Sequence, residues 1–148
     1  MLKINNEIIP NKSIGGITLD SNIDELLLGI ERNSDYYITN FSENYIVIND
    51  KYITVYFDPK ERKISYISCS LNFKGIYEDR NTKLWTGMTV LDVLNNTKEQ
   101  VAWSGFVKVN KLHGIGLPLP DDLDDFSNLD DFLDLDFAFE EIAIYLED

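Results

Sequence analysis

The stretch Lys63-Ile64-Ser65-Tyr66-Ile67-Ser68-Cys69-Ser70-Leu71-Asn72-Phe73 decides the fold class. Apolar and polar residues alternate along it, and a β-strand points successive side chains to opposite faces. Ile67, Cys69, Leu71 and Phe73 are therefore expected on one face, with Tyr66, Ser68 and Ser70 on the other. That pattern belongs to a sheet with one buried face. From Tyr36 onward the composition is equally rich in β-branched and aromatic residues, which predicts strands over 36–41, 44–49, 51–57 and 63–73. Asn49-Asp50 and Asp58-Pro59-Lys60-Glu61 supply the turn chemistry for hairpins between them.

Working outward, Gly15-Gly16-Ile17-Thr18-Leu19-Asp20-Ser21 ends in a turn, and Ile23, Leu26, Leu27 and Ile30 then recur at helical spacing. A short helix is expected over about 21–31, with Ser21 and Asp24 resembling a capping box. Gly87-Met88-Thr89 opens a second short helix. Thr89 is placed to cap the backbone N–H of Asp92, Val90, Val93 and Leu94 turn inward, and the helix should end near Asn95-Asn96. Strands follow at 99–103 and 105–109 around Ser104-Gly105, and residues 114–120, with their glycines and prolines, read as a stiff intradomain loop. Beyond it, Pro120 with Asp121 and Asp122 suits a helix start, Asn128 with Asp131 suits a further capped turn, and a final strand is expected at about 137–146. These elements make one α+β domain over residues 1–148, a mainly antiparallel sheet with two or three short helices packed on one face. The acidic segment 121–148 is expected to dock on it.

Length and composition agree with a single domain, at 148 residues with 44% hydrophobic content. A core of this size needs neither a disulfide nor a metal to hold it. No apolar run reaches the ~18 residues of a membrane span, and Met1 to Glu7 lack a signal-peptide core, so a cytoplasmic location is expected.

Charge is more informative. The chain carries 26 acids and 13 bases, a net −13, which repels nucleic-acid phosphate and anionic lipid. Direct nucleic-acid and membrane partners are therefore not expected. Residues 1–120 hold 14 acids and all 13 bases, whereas residues 121–148 hold 12 acids and no base. A purely solvating tail would contain few large apolar residues. Here Leu123, Phe126, Leu129, Phe132, Leu133, Leu135, Phe137, Phe139, Ile142, Ile144 and Leu146 interleave with the acids. Such a segment can dock and hold its carboxylates outward as a fixed surface.

Constellations for chemistry are sparse. One cysteine and one histidine exclude a disulfide framework and a Cys/His zinc site. Cys69 is expected to be a buried, inert thiol, and His113 has no nucleophile near it in sequence. Gly114-Ile115-Gly116 has only half the spacing of a dinucleotide-binding turn. The many Asp residues between 121 and 136 offer hard oxygen ligands, but Phe126 and Phe132 occupy positions that a calcium loop needs, and no glycine follows Gly116. No catalytic residue, metal or cofactor is assigned.

Taken together, the small size, strong acidity, short capped helices on a sheet and lack of catalytic motifs resemble the immunity proteins of contact-dependent growth inhibition and other polymorphic toxin systems. The most particular parts of the resemblance are the turns at Gly15-Gly16 and Gly87-Met88-Thr89 and the acidic-aromatic stretch from Asp121 to Glu141. The resemblance implies a non-enzymatic inhibitor that neutralises a bacterial toxin domain, commonly a nuclease, by covering its active site or substrate surface. A basic protein partner fits the charge. The residues expected to meet it are Asp121, Asp122, Asp124, Asp125, Asp130, Asp131 and Asp134, with Phe126 or Phe132 as an apolar anchor. An acidic adaptor or nucleic-acid mimic, and then a small carboxylate-dependent enzyme, are the alternatives.

Overall fold

A computed structural model describes residues 2–120 and 133–147, and the alternating stretch, as Ile64–Cys69, lies in the interior of its main sheet. In chain order the elements are β1 (Ile8–Ile9), β2 (Ser13–Ile14), β3 (Ile17–Thr18), α1 (Ile23–Glu31), β4 (Ile38–Phe41) and β5 (Tyr45–Ile48). Next come β6 (Ile53–Phe57), β7 (Ile64–Cys69), a 3-10 turn (Leu71–Phe73), β8 (Ile76–Glu78), β9 (Lys83–Trp85), β10 (Met88–Thr89) and α2 (Val90–Asn96). The chain continues through β11 (Gln100–Trp103), β12 (Phe106–Val109), β13 (Ile115–Pro118), β14 (Ala138–Phe139) and β15 (Ile142–Tyr145).

Eight strands form one antiparallel sheet in the order β11-β12-β13-β15-β7-β6-β5-β4. Its register stacks the apolar phase of each strand: Ile142 and Ile53 flank Cys69, while Ile144 and Val55 flank Ile67. All six are at most 1% exposed. Ile23, Leu26 and Ile30 of α1 and Val90 and Val93 of α2 close over this face in the same core cluster. The fold is thus α+β, with the helices on one side of a dominant antiparallel sheet, as expected. No helix among the described residues is long and apolar enough to cross a membrane.

Several local expectations need correction. Helix α1 begins at Ile23 with Asn22 as its cap, accepting from the Asp24 N–H at 2.7 Å. Ser21 cannot begin the helix, because its carbonyl accepts from the Ile64 N–H and the Ile23 N–H donates to the Arg62 carbonyl, both at 2.8 Å. Its hydroxyl donates to the Thr18 carbonyl instead. Strand β7 ends at Cys69, four residues early, and the 3-10 turn that follows brings the Phe73 N–H to the Ser70 carbonyl at 3.0 Å. This turn buries Phe73 but swings Leu71 out to 50% exposure.

The expected loop at 114–120 contains β13, an interior strand. Glycine is required there, because a Cβ at Gly116 would lie 2.9 Å from the Phe106 Cβ. Pro118 is tolerated at the last strand position, where the chain leaves the sheet. The final strand is split: β14 pairs with β10, and β15 enters the main sheet between β13 and β7. Of the helix start expected at Pro120 to Asp122 only Pro120 is described, and the turn expected at Asn128 to Asp131 lies outside the described residues. By contrast, α2 carries the complete capping box, with the Asp92 N–H bonded to the Thr89 hydroxyl at 3.1 Å and the Thr89 N–H to the Asp92 carboxylate at 2.9 Å.

Candidate functional site: the aromatic face of the sheet

The register that buries one phase of each strand exposes the other. Tyr45 of β5 pairs with Tyr56 of β6, Tyr56 with Tyr66 of β7, and Tyr66 with Tyr145 of β15. Four phenols therefore cross four strands in one row, on the face away from the helices. Ring centroids are 5.3 Å apart for Tyr45 and Tyr56, and 5.4 Å for Tyr56 and Tyr66. Phe106 of β12 reaches over the bare Cα of Gly116 to join them, at 5.3 Å from Tyr145 and 6.3 Å from Tyr66. Trp103, its register partner on β11, extends the aromatic surface and is 61% exposed, while Tyr56 is 38% exposed.

Charged groups flank this row. The Lys108 ammonium lies 5.7 Å over the Tyr145 ring and pairs with Glu147, whose other oxygen is 3.2 Å from Nδ1 of His113. The hydrogen bond from Lys108 is the main reason the Glu147 carboxyl is held below the usual range. Burial opposes the Lys108 charge, yet the bond to Glu147 and the nearby Tyr145 hold it above the usual lysine value. On the opposite flank, desolvation and then the adjacent Glu140 raise the Glu141 carboxyl. Burial first, and the charge of Glu141 second, push the Tyr66 hydroxyl far up, so it stays a neutral phenol. Beside the row, Lys51, Thr54, Ser68, Ser70 and Glu141 line a polar cleft of about 500 Å³.

The chemistry this surface offers is that of contact. The π faces of tyrosine rings attract guanidinium and ammonium groups, as Lys108 over Tyr145 already illustrates, and the phenol hydroxyls can exchange hydrogen bonds with a partner. Aromatic residues with a polar rim are what protein interfaces concentrate at their centres. Burial pushes the Cys69 thiol up to about 12, which keeps it protonated within the core. Among the described residues, no group of three or more His, Cys, Asp and Glu side chains is placed to hold a metal ion.

Of the residues expected from sequence to meet a partner, Asp134 alone is described, and it is exposed. It stands between Leu133, which enters the core, and Leu135, whose carbonyl accepts from the Leu91 N–H of α2 at 3.0 Å. Asp134 thus lies on the helix side, apart from the aromatic row. Asp121, Asp122, Asp124, Asp125, Phe126, Asp130, Asp131 and Phe132 lie outside the described residues. The aromatic row itself escapes sequence reading, because alternation assigns Tyr66 to the second face but the exact register of the hairpins aligns it with Tyr45 and Tyr56, and β15, far along the chain, adds Tyr145. Compared with known proteins, the chain matches no protein family, no curated protein and no solved structure.

Proposed function

We propose that this protein is an immunity protein that binds a basic toxin domain, a nuclease by preference, and neutralises it by covering its active site or substrate surface. The observation that carries the reading is the row of Tyr45, Tyr56, Tyr66, Tyr145 and Phe106 on the sheet face opposite the helices. A fold stabilised from one side needs no aromatic ladder on the other, whereas a partner presenting arginine and lysine finds stacking surfaces there. The 12 acids of residues 121–148 add long-range attraction, which speeds the encounter with a positively charged phosphate-binding site.

The test is co-purification with the product of the gene immediately upstream, followed by survival of cells expressing that product with and without this protein. The expected result is a stable complex whose association slows steeply with added salt, together with protection. Absence of both capture and protection would remove the reading.

A further inference from the structure

A second concavity lies where the β8–β9 hairpin meets the 3-10 turn, away from the aromatic row. Leu71, Asn72, Lys74, Ile76, Lys83 and Trp85 line a hollow of about 590 Å³, within the range that small-molecule sites occupy. Its charge is opposite to that of the chain. Two lysines face it and no acid among the described residues lines it, in a protein of net charge −13. Among the described residues neither lysine makes an ion pair, although Glu78 is the register partner of Lys83. The Lys83 ammonium instead lies 5.7 Å over the Trp85 indole.

The walls are fixed by the fold. Lys74 follows the 3-10 turn in the left-handed region at φ 58°, and its neighbour Gly75 is so tightly packed that a Cβ would lie 2.8 Å from Ile8 Cδ1. The Thr86 N–H bonds to the Gly75 carbonyl at 3.2 Å, joining the two sides of the hollow. Thr86, also in the wall, is only 6% exposed, and its hydroxyl has no hydrogen-bond partner among the described residues. A buried hydroxyl left unsatisfied is costly, and most such groups have a partner.

We propose that this hollow binds a small organic monoanion with an aromatic body. The ring lies against Trp85, Leu71 and Ile76, and the anionic group meets the ammonium groups of Lys74 and Lys83. The Asn72 amide and, after a slight opening of the wall, the Thr86 hydroxyl serve the ligand's polar atoms. A polyanion is disfavoured, because Leu71 and Asn72 also border the adjoining cleft that carries Glu140 and Glu141. The site does not depend on the immunity reading, since it shares no residue with the aromatic row.

The experiment uses the indole N–H signals of the 15N-labelled full chain, which has two tryptophans; the Trp103→Phe variant assigns the Trp85 signal. The probes are 2-naphthoate, its neutral isostere 2-naphthamide, and acetate. Saturable movement of the Trp85 signal by 2-naphthoate is expected, with 2-naphthamide binding about tenfold weaker or worse and acetate silent. The Lys74→Gln and Lys83→Gln double variant, altered only at solvent-facing positions, should lose about the same factor for 2-naphthoate and nothing for the amide. Equal affinity for naphthoate and naphthamide, equal affinity in wild type and double variant, or no saturable movement would each overturn the proposal.

Discussion

The two faces of the eight-stranded sheet are built from the same strands and the same register, yet they differ in kind. Ile53, Val55, Ile67, Ile142 and Ile144 are enclosed by the helices, while Tyr45, Tyr56, Tyr66 and Tyr145, one residue along each strand, are not. Aliphatic branching fills the closed side; flat rings with hydroxyl tips fill the open one. The comparison teaches that the two-residue period of a strand separates an enclosed aliphatic surface from an open aromatic one. A side chain's phase, rather than its place along the chain, assigns it to one surface or the other.

The strongest way to break this picture is to remove the strand that both faces share. A chain ending at Pro120 loses β15 from between β13 and β7, so it should show no cooperative thermal transition by circular dichroism. A sharp transition in that truncated chain would mean that the sheet closes without β15. Next in size, Ile67→Ala should cost about 2–5 kcal/mol in urea unfolding, because it empties a site with no exposure. On the opposite phase, Tyr56→Ala should cost roughly 1 kcal/mol, the loss of ring contacts on a partly open surface. Equal costs for the two would erase the distinction between the faces.

A substitution between these two in size tests how the open face is assembled. Gly116→Val drives a side chain into Phe106 and should cost about 1–3 kcal/mol, with loss of near-ultraviolet dichroism from the displaced ring. The smallest effect belongs to the ion pair at the end of the row. Because Glu147 is held below the usual carboxylate range, its contribution is full above that range and fades as pH falls through the lowered value. Lys108, held above its usual value, loses its share only as pH rises through that raised value. Glu147→Gln should therefore lower stability by about 1 kcal/mol or less at neutral pH, and the difference from wild type should shrink in acid. A difference that grew in acid would contradict the assignment.

Much of this architecture is legible in the sequence, for reasons that can be located. The alternation through Ile67 and Cys69, the turn residues Asn49 and Asp50 with their positive φ, and the Thr89–Asp92 capping box act over a few residues, so a local reading finds them. The 3-10 turn that exposes Leu71 is less visible, since strand alternation and a tight turn share the pattern Ser-Leu-Asn-Phe. Strand β13 is hidden for another reason: Gly116 and Pro118 look like loop chemistry until Phe106, ten residues upstream of Gly116, is seen to need the space. The aromatic row is the least legible part, because its members come from strands that meet only in the folded sheet. Net charge, which does not depend on pairing, pointed toward a basic partner but to a different stretch of chain.

The central proposal is that the open aromatic face recognises a partner while contributing less to the fold than the enclosed face. Its most direct test is the equilibrium affinity of the Tyr56→Ala, Trp103→Ala double variant for the upstream gene's product, with the variant's folding checked in the same buffer. Affinity should fall by about thirtyfold or more, the loss of at least one interface hot spot, while the protein remains folded. A folded double variant that binds with wild-type affinity would contradict the account and return the contact to the acidic segment alone.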